Sequence, residues 1–210
     1  MRKISKPPQA SGAVFLQCVS GVATPDLKRR LTSVKTDIET AAAAYELAAA
    51  NGNLHMLPVS VGVAGTVTKE EMSALYTVKM AKANSPGRPV YDKLMLLAPR
   101  GVCPLCGVNK ASTLDHHLPK ALFSPLAVAP TNLIPACRDC NITKRTSRPT
   151  TAGDQTFHPY FDDFGTDRWL YADVVESSPP AVRFFVQPPL VGLKFKQSAR
   201  SLTLTPSRSG

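Results

Sequence analysis

No apolar run in this 210-residue sequence reaches the roughly 18 residues that a membrane-spanning helix needs. The apolar stretch at 13–22 follows Arg2, Lys3 and Lys6 but is broken by Gln17, Ser20 and Gly21, so no secretory signal is expected. There is no internal repeat either. Acidic residues are the scarce charge: 15 Asp plus Glu stand against 25 Lys plus Arg, a net +10 and a pI near 9.6. That deficit favours a polyanionic partner, although ribosomal, membrane-surface and nuclease proteins all fit it. What is plentiful is apolar: hydrophobic residues make up 43%, enough for a packed core and too many for a disordered chain. Cysteines number five, an odd count, and four of them form two C-x-x-C pairs. Without an export signal, that pattern predicts metal binding rather than disulfides, and a cytoplasmic location with no membrane partner.

Composition divides the chain into three. Residues 1–99 read as mainly helical. Thr24 before Pro25 and Asp26 is a helix start, with Pro at the first position and an acid in the first turn, and the helix is expected to run through 40–50 to a stop at Asn51-Gly52. Thr68 with Glu71 three residues later is a capping box, and its helix should fade near 84–87. A third helix is predicted over 91–97. Residues 151–210 are Pro-rich and mixed, and 182–186 is β-branched and aromatic enough for a strand. His55, which has no partner in the sequence, reads as structural.

Residues 100–150 hold every strong motif. Seven basic residues (Arg100, Lys110, Lys120, Arg138, Lys144, Arg145, Arg148) oppose only Asp115 and Asp139, so half of the net charge sits in about a quarter of the chain. Cys103 and Cys106 form one C-x-x-C pair; Cys137 and Cys140 repeat it after 30 intervening residues. Four thiolates close a tetrahedral zinc shell and leave no open position for a substrate, so this zinc is expected to be structural. A single pair would leave chance or redox chemistry open; two pairs flanking a short loop favour zinc. Cys18 stands alone and reads as a buried hydrophobe.

Between the pairs lie Leu114-Asp115-His116-His117-Leu118-Pro119-Lys120 and Asn132-Leu133-Ile134, and Asn141 directly follows Cys140. Over residues 100–148 this combination resembles the HNH (ββα-metal) nucleases, specifically their zinc-stapled phage and bacterial branch. The resemblance implies an Asp-His pair on the first strand of a hairpin, an Asn in the connecting loop and a ligand on the following helix. Residue by residue, Asp115 matches the carboxylate metal ligand, His116 the general base, Asn132 the loop-bracing Asn and Asn141 the last ligand. That last position is Asn here rather than the His of the family name. Asp and Asn oxygens suit a hard cation, Mg²⁺ or Mn²⁺, better than a second zinc.

The implied chemistry is phosphodiester hydrolysis, which needs an attacking water, a base and positive charge on the phosphorane. An imidazole with a pKa of about 6.5 is a suitable base near neutral pH. Lys120, Lys144 and Arg145 are candidates to hold flanking phosphates. His117 is the rival base, because strand alternation puts it on the face of Asp115. The family pattern, in which the base directly follows the aspartate, favours His116. The segment from His158 to Phe164 is similar to one that follows the core in some bacterial members; His158 is a second candidate for the site, with a hydrogen-bonded aromatic anchor as its simpler role.

Singly, each residue has a plainer use: Asp115 in a turn, His116 and His117 as exposed hairpin residues, Asn132 in a turn or cap, Asn141 at a helix start. Jointly, those uses require four coincidences. The expectation is an α+β protein with a helical N-terminal region (1–99), a central ββα-metal HNH module with structural Zn(Cys)₄ (100–150) and a mixed C-terminal region (151–210). Its expected function is a metal-dependent DNA endonuclease, by resemblance leaving 5′-phosphate and 3′-hydroxyl ends. By analogy it is an effector in bacterial antiviral defence or in a mobile element, with a protein partner that targets or activates it. The alternative is a non-catalytic zinc-ribbon module that binds nucleic acid or protein.

Overall fold

A computed structural model of the protein describes residues 2–144, 148–163 and 170–186. Among these, five helices precede the cysteine-rich segment: α1 (Ser11–Ser20), α2 (Pro25–Ser33), α3 (Lys35–Asn51), α4 (Lys69–Lys79) and α5 (Arg88–Met95). The segment itself forms β1 (Thr113–His116), β2 (Leu133–Ala136) and α6 (Arg138–Lys144). A separate hairpin, β3 (Leu170–Val175) with β4 (Ala181–Val186), follows. The architecture is mixed α+β with two small antiparallel sheets. None of the described helices is long and apolar enough to cross a membrane.

Local chemistry explains two of the helix ends. Thr68 Oγ1 accepts from Glu71 N and the Glu71 carboxylate accepts from Thr68 N, the expected reciprocal cap. Such a cap stabilises a helix by about 1 kcal/mol. Glu71 also accepts two bonds from Arg30 at 2.6 and 3.0 Å, which ties α4 to α2. Gly52, at φ 71°, closes α3 in the left-handed conformation that glycine adopts without strain.

Three expectations about length need correction. The single helix predicted from Thr24 breaks at Val34, whose side chain is buried while its backbone leaves the helical region. Thr32 and Ser33 hydroxyls there bond to the carbonyls of Lys28 and Arg30, and the break lets both α2 and α3 reach α1. Helix α4 stops at Lys79, short of 84–87, because Gly87 N caps the Lys79 carbonyl. A Cβ on Gly87 would lie 2.6 Å from Cys18 Sγ and 2.7 Å from that carbonyl, so only glycine allows this approach. Helix α5 begins at Arg88, three residues earlier than predicted, with Pro89 in its first turn.

The main core joins the helices to the hairpin: Phe15, Cys18, Ile38, Met72, Leu75 and Leu94 share one cluster with Leu114, Val128 and Leu133. A second cluster sets Tyr45, Ala49 and Leu54 against Leu118, Phe123 and Leu126. The connection between β1 and β2, residues 117–132, is therefore buried through most of its length. A buried connection must satisfy its backbone groups internally. Ser60 N donates to Leu122 O and Ser124 N to Ser60 O, and Asn132 completes the set as described below. His55 lies in a 3-10 turn after α3, where its Nδ1 is buried without a hydrogen-bond partner among the described residues.

Candidate functional site

The four paired cysteines converge. Their Sγ atoms all lie within 4.8 Å of one another, and Cys106 Sγ and Cys137 Sγ are 3.9 Å apart. A tetrahedral zinc with bonds of about 2.3 Å places its sulfurs about 3.8 Å apart, so the cluster can hold a structural zinc. The surrounding backbone is shaped for thiolates. Asn109 N donates to Cys106 Sγ and Cys140 N to Cys137 Sγ, each at 3.5 Å, and Gly107 turns the first knuckle at φ 72°. Asn109 Nδ2 reaches Asp139 Oδ2 at 3.0 Å and links the two knuckles. The second knuckle opens α6, so a metal here pins the helix to the root of the hairpin.

The hairpin register pairs Thr113 with Ala136, Leu114 with Pro135, Asp115 with Ile134 and His116 with Leu133. Helix α6 packs against β1. Asp115 is buried, and Lys144 Nζ stands 2.9 Å from its Oδ2 while also donating to the carbonyl of His116. Burial pushes the Asp115 carboxyl up from its ordinary value, against the Lys144 ammonium, which draws it down. Burial likewise pushes Lys144 down, opposed by Asp115. Asn141 and Lys144, three residues apart, lie on one face of α6. The Asn141 side chain makes no hydrogen bond among the described residues, and its N–H continues the helix to Cys137 O.

The adjacent histidines part company. His116 Nε2 donates to Ala127 O at 2.8 Å, and its ring meets Tyr76 edge-on at 4.5 Å. That bond fixes the tautomer and leaves Nδ1 as the lone-pair nitrogen. Burial pushes its pKa down to about 3, so the ring is neutral. His117 follows the strand; its N–H donates to Asn132 O, and its ring lies 4.1 Å from that of His158. His158 is fully buried. Its Nδ1 accepts from Tyr160 N at 3.2 Å, so its Nε2 donates to Tyr45 Oη at 2.7 Å. Tyr160 Oη in turn donates to Leu133 O on β2. The anchor role expected of His158 has this geometry, and it clamps α3 and residues 157–161 behind His117.

Asn132 is fully buried and braces the connection. Leu118 N donates to its Oδ1 at 2.8 Å, and its Nδ2 donates to Leu118 O at 3.0 Å and Leu126 O at 3.2 Å. Lys120 sits over the Tyr76 ring, 5.4 Å from its centroid. Lys144, expected to reach a phosphate, is turned inward; Arg145 lies outside the described residues. One contributor was not singled out in the sequence. Tyr76, on α4, contacts His116 and donates to Leu114 O at 3.2 Å, and no local pattern marks it. The inward Lys144 was detectable, because its spacing from Asn141 puts both on one helical face.

For a divalent cation, Asp115 offers a buried carboxylate, and the ammonium of Lys144 stands in for a cation between that carboxylate and a carbonyl oxygen. An all-oxygen donor set of this kind fits a hard ion.

No family model matches the chain, and no solved structure matches it. The chain is similar to protein ea31 of Escherichia phage lambda, at 29% identity over 201 residues, which covers 90% of this chain and 67% of that protein.

Proposed function

We propose that this protein is a metal-dependent DNA endonuclease of the HNH type, with Asp115 and Asn141 holding Mg²⁺ or Mn²⁺ and His116 as general base. The observation that carries the reading is the ion pair of Asp115 with Lys144, at 2.9 Å. It brings the helix face that bears Asn141 onto the buried carboxylate of β1, in a strand–strand–helix unit fastened by the cysteine cluster. A zinc ribbon that only bound a partner would have no use for a buried Asp beside a tautomer-fixed His.

Bound there, a divalent cation would polarise the scissile phosphate and offset charge on the leaving oxygen. The chain's own residues supply the rest. His116 is held by the Ala127 carbonyl so that Nδ1 can take the proton of an attacking water. Its neutral form is the one that can accept a proton, and the negative charge of a phosphodiester nearby raises its proton affinity. Asn132 keeps the connection rigid beneath it. Lys120, with the net +10 of the chain behind it, favours the approach of a polyanion. The likeness to a phage protein supports a mobile-element setting.

The test is incubation of supercoiled plasmid with zinc-loaded protein and Mg²⁺ or Mn²⁺. Nicked or linear product that vanishes in Asp115→Asn supports the reading. Intact plasmid across both metals and a range of enzyme concentrations would return the chain to the binding-module class.

A further inference from the structure

We propose that Lys144 is a built-in counter-ion that occupies the cation position on Asp115 in the metal-free chain and must leave it before a divalent metal can bind. The inference rests on the nuclease reading, and it adds an exchange step that this reading does not require.

A lysine in the last turn of a short helix ordinarily runs its stem along the surface and keeps its ammonium in water. Lys144 does the opposite: its side chain is only 17% exposed, and that of Asp115 only 7%. The ammonium lies against Asp115 Oδ2 and the carbonyl oxygen of His116, a carboxylate and a backbone oxygen, which is the ligand chemistry of a hard cation. The arrangement prevents a buried carboxylate from standing unpaired, which is strongly destabilising. It also creates a competitor. With the ammonium 2.9 Å from Oδ2, a divalent ion bonded to the same oxygen at about 2.1 Å would sit no more than about 5 Å from it, and like charges at that distance in a poorly solvated site repel strongly. The two occupancies therefore exclude each other, and metal binding is an exchange in which the lysine swings out on its flexible stem. Once displaced, the ammonium is one helical turn from Asn141 and free to meet a phosphate oxygen. The inward ion pair and the phosphate contact expected from the sequence then become two positions of one side chain.

Two measurements on the zinc-loaded full chain test this. In the first, Mn²⁺ affinity is read by electron paramagnetic resonance for the wild type, Lys144→Gln, Lys144→Met and Asp115→Asn at mildly alkaline pH. Removal of the competitor should tighten Mn²⁺ binding at least about tenfold, equivalent to about 1.4 kcal/mol. In the second, the unmodified protein is treated with an amine-acylating reagent with and without Mn²⁺, and Lys144 is located by peptide mass spectrometry. Lys144 should be protected without the metal and react several-fold faster with it. The second arm holds even if a Lys144 variant does not fold. Unchanged or weaker Mn²⁺ affinity in both Lys144 variants, with binding still lost in Asp115→Asn, overturns the exchange and leaves the nuclease reading intact. An acylation rate indifferent to Mn²⁺ overturns it as well. Mn²⁺ binding that survives Asp115→Asn removes the metal site itself, and the exchange with it.

Discussion

Asn132 gives the sharpest test of how this site is built. Its side chain is wholly buried, and its amide makes three hydrogen bonds to the backbone of the connection it closes. Replacement by Ala strands the Leu118 N–H, which has nowhere to find water, and deprives two carbonyls of a donor. An unsatisfied buried group costs about 1–3 kcal/mol, and the lost side-chain contacts add to it, so a total of about 3–5 kcal/mol is expected. For a chain of this size each kcal/mol moves the melting temperature by about 2–4 °C, which predicts a fall of about 6–20 °C. Asn132→Asp is the discriminating companion. It keeps the acceptor for Leu118 N but turns an oxygen towards the carbonyls of Leu118 and Leu126, so it should be no better than Ala. The assay is thermal and urea unfolding of zinc-loaded protein, with zinc content measured alongside; the metal should stay bound, since the cysteine cluster does not use Asn132. A loss below about 1 kcal/mol in the Ala variant, or wild-type stability in the Asp variant, would refute the bracing role.

Elemental analysis of purified protein should find one zinc per chain, and Cys137→Ser should lower folded yield because structural zinc binding is folding free energy; zinc-free folded protein would contradict this. Asn141→Ala should weaken divalent-ion activation of cleavage while gel-shift binding to DNA persists, and wild-type metal dependence would leave Asn141 as an ordinary helix residue. His116→Ala should cut single-turnover cleavage by about 10²–10⁴ with folding and zinc content normal. His117→Ala should cost much less, and a deader His117 variant would transfer the base role to that residue.

Features whose physics is local were legible in the sequence. The Thr68–Glu71 cap needs only four consecutive residues, and the cysteine pairs announce a cluster by spacing alone. The stop at Gly52 was readable for the same reason. Features decided by packing were not. Nothing near Val34 in sequence says that α2 and α3 must both turn onto α1, and nothing near Lys79 says that Gly87 will fold back to cap it. Tyr76 reaches His116 across 40 residues of chain. Burial of the 117–132 connection, which gives Asn132 its task, depends on α3 and α4 lying beside it.

The adjacent histidines show where the two kinds of information meet. Strand alternation predicts that His116 and His117 point to opposite sides, and their rings do diverge, one to Tyr76 and the Ala127 carbonyl, the other to His158. Alternation alone, however, cannot say which side does chemistry, because both rings are nearly as buried as each other. The environments differ in what they hold fixed. His117 is backed by an aromatic stack whose own hydrogen bonds run to Tyr45 and Tyr160, an arrangement that resists movement and clamps the fold. His116 has one nitrogen tied to a carbonyl and the other left as a lone pair, which is the preparation a proton acceptor needs. The choice of His116 comes from the family pattern, and this difference in environment, rather than the periodicity of the strand, is what supports it.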